Sequence, residues 1–266
     1  MTAVDSPATP GTARQAASAG DKDRAVPLSR LVAVELRKLA DTRAGLWLLI
    51  VIGLASAATA AILLFAGSGP DQTFTGFVSF AQVPSGVLLP VLGILSMTGE
   101  WSQRTALTTF TLTPRRGRVI AAKLIAAAAI GVLAAVATFA VGALATLLAG
   151  VTGDGGAWTA DAGVLAQCVL MQVLFVLMGS AFGALLMNTP LAIVAYFTLP
   201  IVWSLVGGMK SVEKAAAWLD LNLTSGPLTE AVLTGGQWAR LAVSAAVWIV
   251  APLVAGTVRV MRREVS

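Results

Sequence analysis

The chain has 266 residues, of which 57% are hydrophobic and only 12% charged, with 18 Lys and Arg, 13 Asp and Glu and no histidine. Soluble domains carry about 25% charged residues, so this composition excludes an ordinary soluble globular protein. The missing histidine excludes His-ligated metal centres, His-activated nucleophiles and His-bound haem. The net charge of +5 does not point to nucleic acid, because the charges are confined to a few segments.

In chain order, residues 1–27 mix Thr, Ala, Ser, Pro and Gly with scattered charge and read as a disordered tail. They lack the apolar core of a signal peptide, so the first membrane span is expected to be retained. From Leu28 to Ala44, Leu28, Leu31, Val32, Leu36 and Leu39 recur at helical spacing and form one apolar stripe. Arg30, Arg37 and Asp41 fall on the other face. Such a helix lies along a membrane surface. Glu35 interrupts the stripe, where a carboxylate is desolvated unless paired. Its candidate partners are Lys38 one turn on, or an arginine of the next loop on the same side, Arg104 or Arg116.

Five stretches carry no Asp, Glu, Lys or Arg: 44–70, 72–99, 124–153, 162–209 and 241–258. About 20 apolar residues cross a hydrocarbon core of roughly 30 Å. Four of the stretches fit one crossing each. The fourth in chain order, 162–209, would make a helix of roughly 72 Å and so must turn back. Asn188-Thr189-Pro190 is the place, since proline breaks a helix and the polar pair favours a turn. The expectation is an all-α membrane protein with six spans near 45–66, 74–98, 122–149, 163–187, 191–209 and 239–258.

Fifteen basic residues lie on the side of the N-terminal arm, the loop between spans two and three, and the C-terminal tail; three, Lys210, Lys214 and Arg240, lie opposite. Basic residues stay inside, which predicts both termini in the cytoplasm. No Asp or Glu falls within these spans, which disfavours a carboxylate proton relay. Cys168, the single cysteine, reads as a small buried apolar residue. Gly207-Gly208-Met209-Lys210-Ser211 lacks the glycine before the lysine and the strand that a phosphate loop needs, so no nucleotide site or catalytic motif is read in this chain. Gly179 and Gly183 permit a close helix approach. Pro84, Pro90, Pro200 and Pro252 imply kinks in spans two, five and six. Gln82, Gln172 and Asn188 are the strongly polar residues at or near membrane depth, with helix–helix hydrogen bonding or a translocation path as their roles.

The loop after span two runs Gly99-Glu100-Trp101-Ser102-Gln103-Arg104-Thr105, then Leu107, Phe110, Leu112, Thr113-Pro114-Arg115-Arg116, Arg118 and Lys123. Leu107, Phe110, Thr111 and Pro114 share a face if the loop is helical, and Glu100 with Arg104 makes an i,i+4 pair. Five threonines between 105 and 113 weaken helix propensity. On the opposite side, Val212, Ala216, Leu219 and Leu223 with Trp218 predict a short helix dipping into the outer leaflet.

At this loop the chain resembles the permease subunit of type-2 ATP-binding-cassette exporters. A Glu closing span two, a Thr, a Leu followed by Thr-Pro, an Arg and a Lys entering span three are matched by Glu100, Thr105, Leu112, Thr113-Pro114, Arg116 or Arg118, and Lys123. Glu35-Leu36-Arg37-Lys38-Leu39 matches the family's pattern ahead of span one. Arg104 stands where the family commonly has glycine. The motifs cover about 28–44 and 99–123. The resemblance implies a permease domain over 28–266 in the cytoplasmic (inner) membrane, in contact with lipid. It also implies a separate ATPase subunit that binds ATP and Mg, a second permease chain as homo- or heterodimer, and a re-entrant helical hairpin before span six. Coupling to the ATPase would fall to Glu35, Glu100, Arg104, Thr105, Leu107, Phe110, Thr113, Pro114 and Arg116. The cargo would be a drug, antibiotic or lipid-like molecule. A stand-alone secondary transporter and a membrane scaffold are the competing readings.

Overall fold

A computed structural model describes residues 26–67, 69–102, 116–152 and 155–262. Among them every named element is helical, and the sole bridge of strand type is an isolated parallel one between Thr73 and Ala157. Six helices are long and apolar enough to cross a membrane, which makes this an all-α, multi-pass membrane protein.

The first helix, α1 (Leu28–Asp41), is the amphipathic segment ahead of span one. Leu39 and Glu35 are buried, Leu31, Val32 and Leu36 are half-buried, and Arg30, Arg37 and Asp41 face outward, as the stripe predicts, while Leu28 at its start is exposed. Thr42 ends α1 and starts α2 (Arg43–Ala66), its hydroxyl accepting the Gly45 N–H at 3.2 Å. That hydroxyl fills one of the donor positions a helix start leaves open. At the other end of α2, the Gln72 amide donates to the carbonyls of Leu63, Leu64 and Gly67 at 3.2, 2.9 and 3.3 Å. One side chain thus closes the orphan carbonyls of the last turn.

Two helices exceed the apolar stretches that announce them. The second span is α3 (Phe74–Ser102), 29 residues, and the third is α4 (Arg116–Thr152), 37 residues. At 1.5 Å per residue α4 is roughly 56 Å long, well beyond a hydrocarbon core. Both helices therefore project past the apolar layer, and Glu100 and Lys123 sit inside helix rather than in the loop.

The turn expected at Asn188-Thr189-Pro190 is present. Helix α5 (Ala162–Leu186) ends at Met187, whose φ of 49° is left-handed, and the Asn188 side chain accepts the Leu191 N–H at 3.0 Å to start α6 (Thr189–Gly207). Pro190 sits in the first turn of α6, where its missing N–H costs nothing.

Where one short helix was expected after residue 210, there are two, α7 (Glu213–Leu219) and α8 (Leu221–Ser225), then a 3₁₀ turn at Gly226–Thr229. Asp220 ends the first and caps the second, accepting from the N–H groups of Asn222 and Leu223. This break ends the helical phase, so the expected stripe from Val212 to Leu223 does not persist: Ala216 is buried but Leu223 points outward. The sixth span consists of α9 (Gly235–Ala245), one π turn (Ala246–Val250) and α10 (Ala251–Arg262). The π turn ends two residues before Pro252, which cannot donate to the carbonyl of Trp248 four residues back, inside that turn.

Helices α3 and α5 form the centre. Half of the most apolar stretch of each is buried, against 22% in α2 and 17% in α6. They touch backbone to backbone. A Cβ on Gly179 would collide with the Pro90 carbonyl, and one on Gly93 with the carbonyl of Val176. Gly183 likewise rests on Ile94. The glycine pair read as a close-approach motif thus joins two spans of the same chain. Pro84 and Pro90 lie within α3 without ending it.

Candidate functional site

Four charged side chains converge where α1, the end of α3 and the start of α4 meet. Lys123 Nζ lies 2.8 Å from Glu35 Oε2 and 3.3 Å from Glu100 Oε1. Lys38 Nζ lies 2.8 Å from Glu35 Oε1 and 3.1 Å from Glu100 Oε1. Glu35, Glu100 and Lys123 are buried, while the Lys38 side chain is 46% exposed. Lys123 also donates to the Ser96 carbonyl at 3.0 Å. Two carboxylates and two ammoniums leave the cluster neutral, which is the condition for burying charge without a prohibitive desolvation cost.

The local sequence explains the convergence. Glu35 and Lys38 are one turn apart on α1, so both reach the same point. Glu100 stands in the last turn of α3, and Lys123 two turns into α4. Burial alone would raise the Glu35 carboxyl, but the charge and hydrogen bond of Lys123, joined by those of Lys38, outweigh it and hold the carboxyl below its ordinary value. Burial would lower the Lys38 ammonium; Glu35 first, then Glu100, reverse that and hold it above its ordinary value.

A second tie crosses the same region. The Arg118 guanidinium donates to the Val26 carbonyl at 2.8 Å, fixing the start of α4 to the chain two residues ahead of α1. Close to the same end, Arg259 of α10 donates to the Leu185 carbonyl at 2.8 Å, closing the last turn of α5.

Of the residues read from sequence as a coupling set, the structure brings Glu35 and Glu100 together through two shared lysines. Arg104, Thr105, Leu107, Phe110, Thr113 and Pro114 lie outside the described residues, and Arg116 is described only as the first residue of α4. Glu35 pairs with Lys38, as one reading had it, and its long-range partner is Lys123 of α4. The long-range reading had named arginines. Lysine fits here because its ammonium can serve Glu35, Glu100 and a backbone carbonyl at once.

The three polar residues at membrane depth separate into different roles. Gln82 lines a cavity of about 380 Å³ between α3, α5, α6 and α8, together with Phe175, Tyr196, Pro200, Asn222 and Thr229. Its amide donates to the Cys168 carbonyl at 3.3 Å, while its Oε1 has no partner among the described residues. Gln172 is fully buried and its amide donates to Thr138 Oγ1 of α4 at 3.2 Å, so it joins two spans, while its Oε1 has no partner among the described residues. Asn188 caps α6.

Sequence reasoning missed two residues near this cavity. Gln167 grips the segment ahead of span six, donating to the carbonyls of Leu228 and Ala231 at 3.1 and 2.8 Å and accepting the Leu233 N–H at 2.8 Å. Asp220 is buried and accepts the Ser204 hydroxyl at 2.6 Å. Its N-cap position ahead of Leu-Asn-Leu was the available signal.

The fold and these sites define a multi-pass helical membrane protein with a buried ion cluster at one end of the bundle and an apolar cavity with polar points near the other. No known protein-family profile matches the chain, and no curated protein sequence matches it.

Proposed function

We propose that the chain is the permease subunit of an ATP-binding-cassette exporter in the cytoplasmic membrane, with both termini in the cytoplasm. Six apolar helices suit a transporter component, and the basic asymmetry orients them. The ATPase is a separate subunit carrying ATP and Mg, and a second permease chain completes the assembly. The cavity at Gln82 takes a largely apolar cargo.

The observation that carries this reading is the cluster of Glu35, Lys38, Glu100 and Lys123. It ties the surface helix to the two helices that flank residues 103–115, and Glu100 and Lys123 of the cluster themselves belong to the family-like motif over about 99–123. An ATPase pressing on that loop would move the ends of α3 and α4, and the buried charges would carry the displacement to α1 as one body. A stand-alone secondary transporter has no need of such a link.

The test is Phe110→Glu. An apolar side chain on a short cytoplasmic loop suits a docking surface. The variant is expected to insert in normal amounts yet to retain less of an ATPase co-expressed from the neighbouring reading frame, with transport and cargo-stimulated hydrolysis falling together. Normal amounts of variant permease with a full complement of ATPase and full activity would remove the loop as the coupling element.

A further inference from the structure

A second cavity, of about 390 Å³, opens between α1, α2, α3 and α4, away from Gln82. Its size falls within the range of small-molecule sites, about 300–1,000 Å³. Its walls are Leu36 and Ala40 of α1, apolar residues of α2 and α4, and no charged side chain. Three hydroxyl-bearing residues line it, Ser56, Ser85 and Thr138, and Thr138 is already engaged, donating to the Ala134 carbonyl and accepting from the Gln172 amide. Both serines are at least nine-tenths buried, at 3% and 0% exposure, and neither hydroxyl has a hydrogen-bond partner among the described residues. The buried Ser96 hydroxyl is also without a partner among the described residues, but Ser96 does not line this cavity. Other buried hydroxyls in its spans donate back to their own helix, Thr98 to Ile94, Thr138 to Ala134, Thr146 to Gly142 and Ser180 to Val176. A buried hydroxyl left without a partner costs about 1–3 kcal/mol, so two lining one cavity mark a place where a ligand supplies the missing bond.

The position of the serines selects among ligands. Ser56 is residue 14 of the 24 in α2, and Ser85 residue 12 of the 29 in α3, so both lie near the middle of their helices. A phospholipid entering from the surface would bring only acyl chain to that depth and would leave both hydroxyls unmet. We propose that this cavity binds a neutral lipophile whose apolar body packs against Leu36, Ile52 and Leu133 and whose carbonyl or ether oxygen accepts from Ser56 and Ser85. The site is independent of the exporter reading. It does touch the surface helix at Leu36, beside Glu35, so an occupant would brace α1 against α2 and α4.

Benzophenone is a suitable probe, being neutral, apolar and a ketone, and inserting into nearby C–H bonds under near-ultraviolet light. The purified full-length chain, without any ATPase, is irradiated with increasing benzophenone and the labelled residues are read by mass spectrometry. Saturable labelling at Leu36, Ile52 or Leu133 is expected. A Cβ on Gly53 would meet open space, so Gly53→Phe can fill the cavity without backbone collision. It should weaken labelling there about tenfold or more. Ser56→Ala with Ser85→Ala, which keeps the shape, should weaken it about three- to tenfold, the worth of a hydrogen bond. Labelling that never saturates, or that is unchanged in Gly53→Phe, would overturn the site. Full labelling in the double serine variant, or displacement of the probe by added phosphatidylcholine, would overturn the ligand class by making the cavity a slot for acyl chain. Phe110→Glu should leave all of this labelling unchanged, which separates the proposal from the fate of the exporter reading.

Discussion

Glu35 and Lys123 stand 88 residues apart in the chain and 2.8 Å apart in the fold, both buried. The pair is the shortest link between the surface helix and the membrane bundle that uses full charges. Removing one member of such a buried pair typically costs about 3–5 kcal/mol, because the other is left uncompensated. Lys123→Met should therefore lower thermal stability strongly in detergent. Adding Glu35→Leu restores neutrality and should recover much of the loss. A double-mutant cycle with coupling below about 0.5 kcal/mol would rule out the pair as a linking element. Lys38→Ala should cost less, roughly 1 kcal/mol, since its side chain is 46% exposed and solvent screens its two ion pairs.

The same cluster sets a pH window. The Glu35 carboxyl is held below its ordinary value. Its stabilisation is therefore complete above the ordinary glutamate pKa of about 4.3 and is lost as pH falls through the lower, folded value. Lys38 is raised, so its smaller contribution is complete below the ordinary lysine value of about 10.4 and fades as pH rises through the folded one. Melting temperatures measured from neutral pH into acid should show the advantage of the wild type over Glu35→Gln shrinking below that glutamate value. A constant gap would mean that Glu35 is not ionised in the fold.

The crossing of α3 and α5 makes a packing prediction. Gly93→Val places a side chain into the backbone of Val176 and Ser180, and should abolish folded, monodisperse protein. Gly99→Ala, on the same helix but with no neighbour within 4 Å of the added carbon among the described residues, should behave as wild type or better. Equal yields and melting points for the two variants would contradict the crossing.

Orientation is tested with single cysteines in a Cys168→Ala background. Ala160→Cys and Gly235→Cys, both at exposed positions, should react with an impermeant thiol reagent on intact cells. Gly117→Cys, also exposed, should react only after the membrane is opened. The reverse pattern would place the termini outside.

The six spans and the 187–190 turn were legible because their signals are local: an uncharged run of the right length, and Asn-Thr-Pro at its middle. The surface helix and the anomaly of Glu35 were legible by the same logic of phase. The partner of Glu35 was not, because the basic residues from Arg104 to Lys123 are equivalent until helix α4 fixes which of them faces α1. Gln82 and Gln172 show a similar ambiguity. Both are glutamines deep in apolar runs, yet one lines a cavity and the other locks onto Thr138, and periodicity in an all-apolar helix does not say which face is which. Gln167 was passed over because its three partners lie 61 to 66 residues away on a segment with no regular pattern of its own.

The glycine contacts between α3 and α5 have a mechanical consequence. Two helices whose main chains rest on each other have no cushion of flexible side chains to slide on, so sliding there would need a costly jump between discrete packings. A rearrangement that opened one end while keeping these glycine contacts would pivot around them.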